Sequence, residues 1–225
     1  MGQATGEDML KAIILDFDGI VFESVEIKTE AFRKLFSDYP EHVDKVVAYH
    51  RANGGMSRYE KFKVIYRDFL KLPLTVQKSQ ELGDQFAENC LTGVLNATFV
   101  PGAEEFLKQY YQQFLLFIAS GTPEDEMRFI VKERKLGVYF KGVFGSPKTK
   151  TRIINDILSQ YGLTPSDTIF VGDSINDFKA AQETGLRFIG RFSEPAWKSL
   201  VKEQDAINDL RDLSLVIQRD YARNY

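Results

Sequence analysis

The sequence predicts an α/β protein, with a parallel sheet covered by helices on both faces and an all-helical insertion after the first strand. Three observations predict it. Short apolar runs alternate with amphipathic stretches of helical spacing along most of the chain, the signature of strand–helix–strand units in a parallel sheet. The alternation lapses over residues 25–96, where helical spacing recurs and no convincing strand appears. Carboxylates, small hydroxyls and glycines gather where the apolar runs end, and in an open parallel sheet those ends share one crevice.

The strand candidates are 12–15, 115–119, 143–144, 168–171 and 187–190, with Ala206-Ile207 as a weaker sixth. Amphipathic helices are expected at 103–112, 123–135, 151–161 and 176–184, and Gly162 and Gly185 follow two of them as helix stops. Within the insertion, helical spacing links Val25, Phe32 and Phe36, then Val43, Val46 and Val47. It recurs through Tyr59, Phe62, Ile65, Tyr66 and Phe69, and through Leu82, Phe86, Leu91 and Val94. Breaks fall at Tyr39-Pro40, Asn53-Gly54-Gly55 and Leu72-Pro73, so a small antiparallel helical bundle is expected there. There is no internal repeat and no low-complexity tract.

The most informative stretch is LKAIILDFDGIVFES, Leu10 to Ser24. An apolar strand ends and delivers Asp16 and Asp18 on either side of Phe17. Residues two apart in an extended segment point the same way, so the two carboxylates share a place. Burying carboxylates without partners costs several kcal/mol, which points to chemistry and invites a magnesium ion. Downstream, LLFIASGT places Ser120, Gly121 and Thr122 after a second strand, with Thr122 expected to cap a helix whose first residue is Pro123. The run GSPKTKTRII puts Lys148 and Lys150 at another helix start. In TIFVGDSIND the fourth strand candidate ends at Asp173, followed by Asn176 and Asp177.

The order DFDG, SGT, lysine, GDSxxD resembles the haloacid dehalogenase superfamily over residues 10–190. The resemblance implies a Rossmann-like core with an inserted helical cap. Core segments 1–22 and 98–225 would flank a cap of 23–97, joined near Phe22–Ser24 and Thr98–Gly102. It implies that Asp16 attacks phosphorus to form an aspartyl-phosphate, and that Asp18 serves as general acid and base with its backbone carbonyl on the metal. Mg²⁺ would be held by Asp16, Asp18, Asp173 and Asp177, the last as ligand or as an acceptor behind the ligands. Ser120 and the following amides of Gly121 and Thr122 would hold phosphoryl oxygens, and Asn176 would orient a water or phosphate oxygen. A lysine must offset Asp16 and the phosphate. One branch of the family, by its spacing from this lysine to the GD aspartate, favours Lys150; a branch with a KP motif would favour Lys148, which no proline follows here, so Lys150 is preferred with Lys148 as the alternative. The loop NGGMSRYEK resembles the substrate loop of β-phosphoglucomutase-like members, where Arg58 would clamp a distal anionic group; as a plain helix-start residue it would instead be an exposed charge.

Composition narrows the alternatives. Two histidines, His42 and His50, leave little for a histidine-ligated zinc site or a Ser-His-Asp hydrolase. The single Cys90, in a helical stretch, precludes an internal disulfide and suits a reducing cytoplasm. The net charge of −3 gives no reason to expect nucleic acid or an anionic membrane, and no apolar run approaches membrane-span length. The start MGQATGEDM lacks a signal-peptide pattern, so a cytoplasmic protein is expected, as a monomer or weak homodimer. The expectation is a Mg²⁺-dependent phosphatase of a small-molecule phosphate ester. A sugar phosphomutase remains open on the same residues. A phospho-acceptor signalling protein is disfavoured, because the strand ending GVFGSP carries no aspartate, and a silent binding module is disfavoured by the intact carboxylates.

Overall fold

The computed structural model describes residues 10–191 and 201–223. The start of the chain, on which the signal-peptide expectation rests, lies outside the described residues, as do 192–200 and 224–225 of the expected core. Five parallel strands form one sheet: β1 (Ala12–Leu15), β2 (Leu115–Pro123), β3 (Gly142–Ser146), β4 (Thr168–Gly172) and β5 (Arg187–Gly190), in the order β3-β2-β1-β4-β5. The strand that carries Asp16 is therefore central, and strand order reverses beside it, which opens a crevice at the carboxyl ends.

Every residue of β1 is buried, because both sheet faces are covered. Ile13 and Leu15 face one apolar cluster, and Ala12 and Ile14 face the other. The second cluster is closed by α7 (Lys150–Tyr161) and α8 (Ile175–Thr184), through Ile153, Ile154, Ile157, Ala180 and Ala181. The first is closed by α5 (Ala103–Tyr110), α6 (Glu124–Glu133) and α9 (Leu210–Arg223). Gly162 and Gly185 end α7 and α8 with φ of 64° and 73°, the left-handed geometry that glycine adopts without steric cost.

Between β1 and β2 the chain forms α1 (Val25–Leu35), α2 (Val43–Ala52), α3 (Arg58–Val64) and α4 (Val76–Asn96). The apolar periodicity expected through Phe69 as one helix instead changes pitch. A π-helical turn, Ile65–Leu70, follows α3 and ends at Lys71 with φ of 56°. Phe32, Phe36, Phe62 and Phe86 fill the bundle and run without a break into the cluster beneath the sheet. Phe62 is thus core, as its spacing implied.

The two crossings into the bundle pair with each other. Phe22 and Phe99 form an antiparallel bridge, Glu23 N–H donates to Thr98 O at 3.0 Å, and Val100 N–H donates to Val21 O at 3.0 Å. Arg134, just past α6, lays its guanidinium 3.9 Å over the Phe22 ring. It also donates to Leu95 O (2.9 Å) and Ala97 O (2.8 Å), satisfying carbonyls at the end of α4.

Two expectations are corrected here. Ala206-Ile207 is not a sixth strand, because only a single bridge from Gly190 to Ala206 forms before the chain turns toward α9. Thr122 does not cap α6. After a register shift, β2 continues to Pro123 opposite Ser146, so Pro123 takes the N-cap position and Glu124 begins the helix.

Candidate active site

Asp16 follows the last residue of β1 and is 2% exposed. Its backbone N–H joins Val171 O at 2.9 Å, so the turn begins while the chain is still paired to β4. The Phe17 amide donates to Asp16 Oδ1 at 2.7 Å, and Lys150 Nζ lies 2.7 Å from Oδ2. Lys150 reaches this point from the first turn of α7, which Thr149 caps by accepting from Arg152 N–H at 3.2 Å. The same ammonium donates to Asp177 Oδ1 at 2.5 Å. Lys148 points elsewhere and pairs with Asp156 on the surface at 2.8 Å.

Asp177 is fully buried, and its second oxygen accepts from the Ser174 amide (3.1 Å) and hydroxyl (2.6 Å). Ser174 in turn caps α8, so this carboxylate both completes a capping box and orients Lys150. Asp173 is different. Among the described residues it has no hydrogen-bond or ion-pair partner. Gly19 explains how it fits: a Cβ there would lie 2.1 Å from Asp173 Oδ2, and the φ of +74° would strain any other residue.

Asp16, Asp173 and Asp177 each bring a carboxylate oxygen within 4.8 Å of the other two. Burial, together with the neighbouring Asp177 and Asp18, pushes the Asp16 carboxyl up to about 7 despite Lys150. Burial and the charges of Asp16 and Asp177 hold Asp173 well above the usual carboxylate range. Burial works against the Lys150 ammonium, but Asp16 and Asp177 outweigh it and hold it above its ordinary value. One lysine does not balance three carboxylates, so this donor set of hard oxygens, one side chain unpartnered, fits a divalent cation.

Asp18 faces the helical insertion. Ser24 Oγ donates to Oδ1 at 2.6 Å, and Lys28 of α1 donates to Oδ2. Burial alone would raise the Asp18 carboxyl, but the Lys28 charge and these hydrogen bonds outweigh it and hold it below the usual range. Lys28 Nζ also donates to Thr122 Oγ1 at 2.7 Å, so the hydroxyl expected to cap a helix instead tethers the insertion. Ser120 is 1% exposed, and its Oγ accepts the Thr122 amide at 3.1 Å.

The loop at Gly54-Gly55 lies over the strand ends. A Cβ on Gly121 would come within 2.4 Å of Gly55 O, so Gly121 permits close approach of the two backbones. Asn176 Nδ2 donates to Gly54 O at 2.6 Å, which makes it a tether of this loop in the structure rather than a group turned to water. Arg58 is 5% exposed, not a solvated charge; it pairs with Glu126 of α6 at 2.7 Å and stacks 4.5 Å over Phe86. Together these groups enclose a cavity of about 630 Å³ whose walls come from both strand ends and insertion.

Sequence reasoning missed Lys28, Lys61, His50 and Glu126. No short-range pattern marks them, since each acts through a partner in a different segment. It also missed Arg191, which follows β5 and donates to Gly19 O at 2.7 Å while pairing with Glu23 at 2.7 Å, fixing the turn after Asp18.

A buried aspartate just past a central parallel strand thus meets a lysine from a later helix in an acidic pocket under a helical insertion. The chain belongs to the haloacid dehalogenase-like hydrolase family, whose model matches residues 13–191. A phosphoglycolate phosphatase from Aliivibrio fischeri is 26% identical over 187 residues, covering 78% of this chain and 81% of that protein. Phosphoglycolate phosphatase 1 of Pseudomonas aeruginosa is 24% identical over 194 residues, covering 79% and 67%. Family and relatives together make the chain a phosphatase. The fold is shared with a predicted phosphatase from Clostridium acetobutylicum (TM-score 0.75, 19% identity, 94% of this chain and 99% of that one). It is shared also with a β-phosphoglucomutase candidate from Bacteroides vulgatus (TM-score 0.75, 15% identity, 95% and 91%).

Proposed function

We propose that this phosphatase is Mg²⁺-dependent and hydrolyses a small-molecule phosphomonoester through an aspartyl-phosphate on Asp16. The observation that carries the proposal is Asp16 itself, buried at a central strand end, with one oxygen against Lys150 and an unpartnered Asp173 beside it. Asp16, Asp173 and the Asp18 carbonyl would hold the Mg²⁺, with Asp177 behind them. The ion supplies charge neutralisation that lets an anionic carboxylate approach an anionic ester.

The chain's own groups do the rest. An Asp16 oxygen forms a bond to phosphorus as the ester P–O bond breaks, and Asp18 delivers a proton to the leaving alkoxide. Asp18 then takes a proton from the water that attacks the aspartyl-phosphate, releasing inorganic phosphate and free Asp16. Lys150 offsets charge on the transferring group, and the Ser120 hydroxyl and the Gly121 amide bind its oxygens, joined by the Thr122 amide once it leaves Ser120 Oγ, its partner in the structure. Residues 23–97 act as the cap and 1–22 with 98–225 as the core. The lone buried Cys90 supports a cytoplasmic setting, and a monomer or weak homodimer suffices for a site built from one chain. No described helix is long and apolar enough to cross a membrane.

A screen of phosphate release over a panel of phosphomonoesters, with and without Mg²⁺, tests this. Asp16→Asn should retain the fold and lose activity by three orders of magnitude or more, on the order expected for a lost nucleophile. Near-normal turnover in folded Asp16→Asn protein would remove the aspartyl-phosphate step.

A second proposal is a phosphomutase, which needs water kept from the aspartyl-phosphate and is favoured by the close seating of the Gly54-Gly55 loop on Gly121. A coupled assay for positional isomerisation of sugar phosphates separates the two.

A further inference from the structure

Four cations line the cavity from the helical insertion, and three of them are neutralised. Lys28 is paired with Asp18, Arg51 with Glu26, and Arg58 with Glu126. The fourth, Lys61 of α3, is 4% exposed and lines the same cavity. Among the described residues no carboxylate pairs with it. Its ammonium donates to His50 Nδ1 at 3.1 Å and to His50 O at 3.3 Å, and lies 5.5 Å from the centre of the Phe32 ring. Two of its three N–H bonds are thus used, and the third has no acceptor among the described residues.

This is an unfavourable way to bury a lysine. Lysines are seldom fully buried without a counter-charge, and an apolar residue of similar length beside Phe32 would carry no electrostatic cost. Burial and the charge of Lys28 accordingly press the Lys61 ammonium down to about 7. His50 adds to the pattern. Because Nδ1 accepts from Lys61, its proton sits on Nε2, so the pair offers donors only. The cavity, at about 630 Å³, is far larger than a phosphoryl group needs, and falls in the range that encloses a metabolite-sized ligand.

We propose that Lys61, supported by His50, is a specificity subsite for a second anionic group on the substrate, a carboxylate or a second phosphate at the end remote from the phosphoester. The proposal rests on the phosphatase assignment above and narrows it to doubly anionic substrates. It moves the distal anion site from Arg58, already satisfied by Glu126 and Phe86, to the cation that lacks a partner. A bound anionic oxygen would take the free N–H of Lys61 and supply the missing counter-charge.

Matched substrate pairs that differ in the charge of the far end test this. Sorbitol phosphate against phosphogluconate probes a carboxylate; fructose monophosphate against fructose bisphosphate probes a second phosphate. Wild-type kcat/KM is expected to be about tenfold or more higher for the charged member of one pair, and Lys61→Met to cut that preference at least tenfold, the scale of one charge-assisted contact. Lys61→Arg, which keeps a charge, should retain most of it. The pair that responds identifies the anion. Equal rates for both members in wild type, or a preference undiminished in Lys61→Met, overturns the subsite. Failure to release phosphate from any substrate overturns the phosphatase assignment instead. Thermal-shift titration still decides the subsite in that case: phosphogluconate should stabilise wild type more than sorbitol phosphate does, and the difference should vanish in Lys61→Met.

Discussion

Asn176, in the first turn of α8, donates from Nδ2 to the carbonyl oxygen of Gly54 at 2.6 Å, joining residues 122 positions apart in the chain. This bond holds the Gly54-Gly55 loop down beside Lys150 and Ser174, which a Cβ on Gly55 would meet at 3.1 Å and 2.8 Å.

Asn176→Ala removes the bond and leaves the Gly54 carbonyl without its donor. Amides 53–57 should then exchange hydrogen at least tenfold faster, while β1 and β4 keep their protection. The loss of kcat/KM should be about tenfold, the scale of one net hydrogen bond. Unchanged exchange in the loop would show that backbone packing against Gly121 alone holds it.

Lys28 sets the charge state of Asp18. Removing it by Lys28→Met takes away the strongest influence that lowers the Asp18 carboxyl. A carboxyl held low titrates low; released, it titrates higher. Asp18 must carry a proton in the step that kcat/KM reports, so the limb of that profile that falls with rising pH should move to higher pH in Lys28→Met. A limb that stays in place would show that another group controls it.

Metal binding should displace protons. The Asp16 carboxyl is pushed up to about 7 and that of Asp173 well above its ordinary value, both chiefly by burial, so near neutral pH part of the population is protonated without a cation. A bound Mg²⁺ requires the carboxylates. Calorimetric titration with MgCl₂ in buffers of different ionisation enthalpy should show net proton release near pH 6.5, falling toward zero at alkaline pH. Heat independent of buffer would contradict it. Chelation should abolish phosphate release and Mg²⁺ should restore it, with Ca²⁺ a poor substitute because of its larger, flexible coordination shell.

The buried pair His50 and Lys61 predicts stability that rises with pH on both sides of neutrality. Lys61 falls from 10.5 to about 7 on folding. Between those values the unfolded chain holds the extra proton, so stability rises with pH through that window, and the penalty is full below it. Lys61→Met should therefore be more stable than wild type at pH 6, with the gap closing toward pH 10.5. His50 falls from 6.5 to about 2, so the unfolded chain takes up a proton first and stability declines as pH drops below 6.5. Urea midpoints across pH measure both. A constant difference between Lys61→Met and wild type would mean that Lys61 is not desolvated.

What the sequence disclosed was local. The run DFDG reads as a strand end because four apolar residues precede it and a glycine with positive φ follows, all within one short segment. Lys150 and Asp177 were legible for the same reason, each at a helix start with a cap beside it. Thr122 was misjudged because hydroxyl-then-proline reads as a cap, whereas pairing of Pro123 with Ser146, set by a different strand, kept the segment extended. Lys28, Lys61 and His50 carry no local signal. On amphipathic helices a lysine is ordinarily a solvated face, and only docking of the insertion over the strand ends turns these inward. The same docking decided Arg58, whose partner Glu126 is 68 residues away.

Arg134 has a mechanical consequence. It grips the outgoing crossing through the Phe22 ring and the returning one through the carbonyls of Leu95 and Ala97, while the crossings are laced to each other at Phe22 and Phe99. Two strands bound side by side and held by a third element bend like a door hinge, not like a ball joint. Sideways drift and twist are resisted, and a swing about the hinge line is the freedom that remains. A lid swinging on that line would bring Lys28, Asn176's carbonyl partner and Lys61 back to the same register over Asp16, with alignment conferred by the doorpost and not searched for anew.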